Sequence, residues 1–298
     1  MKILLQGPPG IGKSTILSKI VQSEFCSMEG VLSVEHRENE RRVGFSAVLS
    51  DLSTREFMTK LTDDDADAPC TRVGSYKVDI NVIDSFVVPS LESYLLHHPE
   101  LIYLDEIGRA QAHSALFLKV AGELFTTANM NVLATIVEQD TEWSLCFKHA
   151  TDVWLISVNL ENRDHLVEII KGLFTNYKIF EMLPLYQQLN VRSLFHRMMA
   201  ERKYVAMRKL FDNSLLYVAE SRIKIQSLED KSRIKQFIVR GQSAIHTIYK
   251  YLESDNYVCD CDLSQGLGKF IGMAQTCSHE LAIRIIEESA DFRHISEP

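Results

Sequence analysis

A doubly wound α/β domain followed by a helical second half is the architecture this sequence predicts, and three observations predict it. Through about residue 177, short runs rich in Val, Ile and Leu alternate with segments whose apolar residues recur at three- and four-residue spacing. That is the pattern of parallel strands joined by crossover helices. The first run leads directly into a glycine-rich loop and then a helix-like segment. Beyond about Tyr177 the strand signal stops and helical periodicity takes over. A chain of 298 residues holds about two average domains, expected at 1–177 and 178–298, with the junction around FEMLPLYQQLN at 180–190.

Strands are expected at 2–6 (KILLQ), 31–35 (VLSVE), 43–49 (VGFSAVL), 101–105 (LIYLD), 131–137 (NVLATIV) and 152–158 (DVWLISV). Helices are expected to start near Ser14, near Ile83 with an interruption at Pro89, near Ser114, near Asp140 and near Glu161. In the second half, Ser227 and Asp230 have a spacing close to a capping box. They precede Ile234, Phe237, Ile238, Ile245, Ile248, Tyr249 and Leu252 at helical period. A helix of roughly 25 residues is expected there, with others near 190–224 and 276–290.

Hydrophobic residues make up 46% and charged residues 24%, values that exclude a disordered, collagen-like or coiled-coil chain. The apolar run in MKILLQGPP is too short for a signal peptide, and no run approaches about 18 apolar residues. No membrane association and a cytoplasmic location are expected. Six scattered cysteines suit reduced thiols in a reducing compartment. Net charge is −8 but uneven: residues 1–177 carry 15 Lys and Arg against 25 Asp and Glu, whereas residues 190–250 carry 13 against 5.

Gly7-Pro8-Pro9-Gly10-Ile11-Gly12-Lys13-Ser14 matches GxxxxGK[ST] between a strand and a helix, the context a phosphate-binding loop requires. The glycines let successive backbone N–H groups face phosphate oxygens, and the helix N-terminus adds a favourable dipole. Lys13 is placed to reach the β and γ phosphates, Ser14 to ligate Mg²⁺, and Thr15 to reach another phosphate. In LIYLDEIG at 101–108 two acids stand at the carboxyl end of a strand, where parallel α/β sheets bind ligands. Asp105 is the candidate Mg²⁺ holder. Glu106 is the candidate that orients and deprotonates an attacking water; the alternative is a solvated strand end.

These residues, with ERRVGFSAV at 40–48, RVGSYKVD at 72–79, Ser114, Phe117 and NLENRDHL at 159–166, resemble the THEP1-type nucleoside triphosphatases, called cancer-related nucleoside-triphosphatases in animals. The resemblance covers about residues 1–175. It implies a RecA-like, mostly parallel sheet and slow Mg²⁺-dependent hydrolysis of ATP, GTP or other triphosphates to diphosphate and phosphate. By matching position it implies that Lys13 and Ser14 bind phosphate and metal, and that Glu106 activates water. The chain departs from the family pattern after DEIG, where Arg109-Ala110-Gln111 replaces Lys-Met-Glu and a carboxylate is missing. It departs again at Gly30–Glu35, which keeps the glycine, a hydroxyl and the acid but not the Phe. The helical half lies outside the resemblance.

Arg41, Arg42, Arg72 and Arg109 each stand near a motif that approaches the nucleotide, and a cation on the transferring phosphoryl group aids hydrolysis; surface arginines are the plain alternative. Arg163 is a candidate to pack on the base, or else a helix-start ion pair. In the basic stretch, Arg192, Arg197, Arg202, Lys203, Arg208, Lys209, Arg222, Lys224, Lys231, Arg233, Lys235 and Arg240 are interleaved with Phe195, Tyr204, Phe211 and Tyr217. Such a surface suits nucleic acid or a protein partner, and equally a solvated basic face. Cys259, Cys261, Cys277 and His279 raise a zinc hypothesis, but their spacing fits no common zinc pattern. Two functional classes stand beside each other: a triphosphatase, and a nucleotide-dependent switch coupled to the helical half. A nucleotide kinase shares the loop but has no need of Glu106 beside the metal acid.

Overall fold

The computed structural model describes residues 1–62, 70–150, 152–204, 207, 214–220, 222–226, 234–241, 244–251, 256–261 and 277–287. The chain divides into two compact units, Met1–Val167 and Glu168–Pro298.

In the first unit a nine-stranded sheet is built around β1 (Lys2–Gln6), whose residues 2–5 are all buried. Such an apolar run is what a strand covered on both faces requires. The helix α1 (Lys13–Gln22) buries Ile16, Leu17 and Ile20 on one face. It is followed by β2 (Met28–Glu38), β3 (Arg41–Leu49), β4 (Thr54–Lys60), β5 (Thr71–Val73) and β6 (Tyr76–Val78). A helical run then begins at α2 (Ile80–Val82), which Asp79 caps, and ends in α3 (Val88–His97), with Pro89 in its first turn. That position tolerates proline because its missing N–H has no helical partner. The expected interruption at Pro89 is thus the start of a new helical segment.

After β7 (Leu101–Ile107) comes α4 (Ala115–Thr126), N-capped by Ser114 and burying Phe117, Val120, Ala121, Leu124 and Phe125. The strand β8 (Val132–Ile136) is buried throughout, and α5 (Glu142–Lys148) starts with a Thr141/Ser144 capping box. The unit closes with β9 (Val153–Ser157) and the start of α6 (Arg163–Thr175).

Strand order is β5-β6-β4-β3-β2-β7-β8-β1-β9. The five strands from β2 to β9 pair in parallel, whereas β3, β4, β6 and β5 extend the sheet antiparallel from β2. This is the mostly parallel α/β sheet the sequence predicts. Strands β4 to β6 were not among the expected strands, because in Thr54–Lys60 only Phe57 is buried and a polar strand carries no alternation to read. From β1 the chain crosses to β2 on one side, while β9 lies on the other. The carboxyl end of β1 therefore opens at a topological switch point, where such sheets bind ligands.

The second unit is helical at α7 (Tyr177–Met182), α8 (Leu185–Ala200), α9 (Leu215–Ala219) and α10 (Ser278–Glu287). It also contains a four-stranded antiparallel sheet of β10 (Ile223–Gln226), β11 (Ile234–Arg240), β12 (Ile245–Tyr251) and β13 (Asn256–Cys259). The long helix expected across 234–252 is a hairpin instead, with Ile238 opposite Thr247. The same residues satisfy both periods, but Phe237 and Val239, two apart, are both fully buried in β11. The abundance of Ile, Val, Thr and Tyr favours the strand, and Gly241 closes the turn by donating to the Ala244 carbonyl at 2.8 Å. The capping-box expectation at Ser227 and Asp230 lies outside the described residues. No helix among those described is long and apolar enough to cross a membrane.

Candidate active site

The loop from Gly7 to Ser14 joins β1 to α1. Gly7, Gly10 and Gly12 all take positive φ. At Gly12, φ is 113°, and this residue is the N-cap of α1, its carbonyl accepting the first helical bond from Ile16 N–H at 2.9 Å. At Gly7 a Cβ would meet the Val158 carbonyl oxygen at 2.8 Å, so only glycine fits. Pro8, Pro9 and Gly10 are exposed, Ile11 and Gly12 half-buried, and Ser14 and Thr15 exposed at the helix start. Lys13 is buried, and its Nζ donates to the carbonyls of Gly7 at 2.7 Å and Pro8 at 3.3 Å. These bonds anchor the ammonium over the loop.

Asp105 stands at the carboxyl end of β7, separated from β1 by β8. Its Oδ1 accepts from Ser14 Oγ at 2.9 Å and from Thr135 Oγ1 on β8 at 2.6 Å, and its carbonyl accepts from Ser33 Oγ on β2. Thr135 and Ser33 were absent from the sequence candidates. Thr135 is the single hydroxyl of the buried strand β8, Ser33 the retained hydroxyl of the Gly30–Glu35 segment on β2, and only the sheet order places them on the acid. Burial pushes the Asp105 carboxyl up from its ordinary value, while the two hydroxyls and the nearby Lys13 charge pull it down. Glu106 is half-buried and is also pushed up, first by burial and then by the Asp105 charge, with Lys13 opposing. Asp105 is buried and Glu106 half-buried, so the acid pair is not a solvated strand end.

Ser14 and Asp105 supply only oxygen donors, the set Mg²⁺ prefers. Octahedral bonds of about 2.0–2.1 Å put neighbouring ligands about 2.9 Å apart, which matches the Ser14–Asp105 separation. The residues present therefore fit the ion.

A cleft of about 600 Å³ opens over these groups, lined by Gly7, Lys13 and Glu106 together with Arg42, Phe45 and Tyr76 from the antiparallel extension. The motifs at 7–14, 40–48, 72–79 and 104–108, scattered in the chain, thus meet on one surface. Arg109 lines the same cleft and donates to Gln139; Arg42 is held by Glu35 at 2.6 Å and lies 5.2 Å from the Phe45 ring centre. Arg72 borders an adjoining recess with Arg109, and Arg41 is exposed on β3. At the position where the family pattern has its further carboxylate, Gln111 is buried and lines the cleft beside Glu106.

The NLENR segment has a structural task. Asn162 is buried, donates to the Ser157 carbonyl at 2.8 Å and accepts from Asn159 N–H at 2.9 Å, bracing the turn whose Val158 carbonyl crowds Gly7. Arg163 lies 3.9 Å from the Asp164 carboxylate at the start of α6. In the second unit Phe195, Tyr204 and Tyr217 are buried, and Lys203, Arg222 and Lys235 pair with Glu201, Glu220 and Glu287. Arg208, Lys209, Phe211, Lys231 and Arg233 lie outside the described residues, as does the side chain of Lys224.

Known proteins resemble the first part of this chain. The nucleoside-triphosphatase THEP1 of Thermotoga maritima is 32% identical over 170 residues, covering 57% of this chain and 93% of that protein. The cancer-related nucleoside-triphosphatase of Homo sapiens is 29% identical over 176 residues, covering 55% and 92%. The crystal structure of THEP1 from the hyperthermophile Aquifex aeolicus superposes with a TM-score of 0.50 at 29% identity, covering 58% of this chain and 99% of that one. The family described as NTPase matches residues 2–171, and the chain belongs to that family.

Proposed function

We propose that the protein is a Mg²⁺-dependent nucleoside triphosphatase that hydrolyses NTP to NDP and phosphate. The observation that carries this reading is that Lys13 and Glu106 line one cleft while their chain neighbours Ser14 and Asp105 meet, Ser14 Oγ lying 2.9 Å from Asp105 Oδ1. The names of the relatives, nucleoside-triphosphatases, support the same reaction.

The loop from Gly7 to Thr15 presents backbone N–H groups to the phosphates, and Lys13 turns its ammonium from the loop carbonyls onto the β and γ oxygens. Ser14 and Asp105 hold Mg²⁺, which when bound neutralises charge on the phosphate oxygens. Glu106 orients a water and accepts its proton, and its raised pKa brings it closer to working pH, where a general base is most effective. Arg109, exposed at the cleft, is the candidate cation for the transferring group. A base next to the metal acid favours water over a second nucleotide as acceptor, which separates this reading from a kinase.

A switch coupled to the basic region 190–250 is the second reading. Burial of Phe195, Tyr204 and Tyr217 removes three of its four stacking candidates, so support for nucleic-acid binding is weaker than charge alone suggests. We assign the protein to the cytoplasm on its thiol chemistry: none of its six cysteines is in a disulfide.

Phosphate release from ATP and GTP without any acceptor, measured with and without Mg²⁺ and with and without added RNA or DNA, tests these readings together. Mg²⁺-dependent release unaffected by nucleic acid supports the triphosphatase. Absence of release, with transfer to an added nucleotide, overturns it in favour of a kinase.

A further inference from the structure

We propose that Cys259, Cys261, Cys277 and His279 form a tetrahedral structural zinc site in the second unit, tying the end of β13 to the start of α10. The four donor atoms all lie within 4.8 Å of one another. A zinc tetrahedron with Zn–S bonds of about 2.3 Å and a Zn–N bond of about 2.0 Å has edges of about 3.5–3.8 Å. The separation of Cys259 Sγ from His279 Nδ1, 3.9 Å, is close to such an edge. The cluster is compact enough for one ion, whereas a two-iron cluster spreads its thiolates further apart.

The spacing that looks unfavourable in sequence is explained by the two elements. Cys259 is the last residue of β13 and Cys261 stands at the bend two residues on, and their sulfurs lie within 4.8 Å of each other. Cys277 is the residue before α10, its carbonyl accepting from Leu281 N–H at 3.1 Å, and His279 follows in the first turn. Fold, rather than a compact motif, brings the pairs together across residues 262–276.

Burial and the surroundings favour a ligand over a chance thiol cluster. Cys259, Cys261 and Cys277 are 2%, 6% and 1% exposed, and His279 is 9% exposed. The His279 ring is stacked on Tyr217 at 5.3 Å and lies 4.1 Å from the His246 ring. Its Nε2 faces Gly241, where a Cβ would approach to 3.1 Å, leaving Nδ1 toward the sulfurs. The Cys277 Sγ accepts the Glu280 backbone N–H at 3.4 Å, the kind of outer hydrogen bond that steadies a metal thiolate.

Three sulfurs and one imidazole select zinc over the oxygen-seeking Mg²⁺ and Ca²⁺. Four protein donors leave no open position, which marks a structural site rather than a catalytic one. On binding, each cysteine loses its thiol proton to solvent, three Zn–S bonds and one Zn–N bond form, and no redox change occurs.

The test is metal analysis of the full-length chain, purified without a metal-affinity tag. About one zinc per chain is expected. Cys259→Ser and Cys277→Ser should each fall below about 0.1 zinc per chain, while Cys146→Ser, at an exposed position, keeps one. His279→Cys should also keep one, because a fourth thiolate completes the same tetrahedron. If the serine variants do not fold, mercurial modification of the wild type decides: zinc should be released together with the loss of three thiols. Cobalt in place of zinc should show the intense visible absorption of a tetrahedral thiolate site. A wild-type protein without zinc, iron and sulfide in its place, or zinc retained by both serine variants would overturn the proposal.

Discussion

Ser14 and Asp105 stand 91 positions apart in the chain, yet the Ser14 hydroxyl donates to the Asp105 carboxylate at 2.9 Å. The loop after the first strand and the acid at the end of the seventh are thereby joined across an intervening strand, whose Thr135 contributes a second donor to the same oxygen. Each partner of this arrangement can be removed separately.

Lys13→Ala should abolish tight triphosphate binding while leaving the fold intact, since the ammonium serves the loop and contributes little to the core. Calorimetric titration with a non-hydrolysable triphosphate checks this. Equal affinity in variant and wild type refutes the assignment of the loop.

Replacing Glu106 by Gln keeps the size of the side chain but removes the base. Turnover should fall by about 10²-fold or more, with Mg²⁺-nucleotide affinity nearly unchanged. Asp105→Asn should instead raise the Mg²⁺ concentration needed for half-maximal activity. Steady-state kinetics over a Mg²⁺ series distinguishes the two effects; wild-type turnover in the Gln variant moves the role of base elsewhere.

Thr135→Val conserves shape in a buried position while deleting one hydrogen bond to the Asp105 carboxylate. A bond to a charged group contributes about 1.5–3 kcal/mol, and one pKa unit corresponds to about 1.4 kcal/mol. The acid side of the pH–activity profile should therefore move up by about one to two units. An unmoved profile means that this hydroxyl does not hold the carboxylate in its charged form.

The contribution of Asp105 and Glu106 to the stability of the metal-free protein should decline as pH rises. Asp105 and Glu106 have folded pKa values above their unfolded ones, about 4, so between those limits the folded state binds more protons than the unfolded state. The loss begins near pH 4 and continues through the raised values. Thermal melts of wild type and Asp105→Asn across this window should diverge, the wild type falling more steeply; parallel curves argue against a strained carboxylate.

A fragment of residues 1–177 should hydrolyse triphosphate on its own. Every residue lining the cleft precedes residue 140, the bracing Asn162 lies within the fragment, and the cut leaves α6 whole, with its buried Leu166, Ile169, Ile170 and Leu173. Phosphate release by the purified fragment is the measurement. An inactive but folded fragment shows that the second unit completes the active site.

The phosphate loop was legible in the sequence because its function is local: three glycines at set spacing and a lysine act through consecutive backbone groups. The strands at 2–6, 101–105 and 131–137 were legible because strands covered on both faces are continuous apolar runs. Strand β4 was not, since a mostly polar strand with only Phe57 buried leaves no hydrophobic alternation, and at 234–251 one set of apolar residues satisfies both helix and strand periods. Pairing with a neighbouring strand decided that case.

The supports of the acid and the zinc ligands belong to tertiary structure. Thr135 reaches Asp105 because β8 lies beside β7, and Cys259 reaches His279 because the end of β13 meets the start of α10. Sequence alone determined which chemical groups this protein carries and where its phosphate loop turns. Which distant groups share an oxygen, a cleft or a metal was decided by the order of strands and the packing of helices, because hydrogen bonds and coordination bonds act over about 2–3 Å in space and are indifferent to separation along the chain.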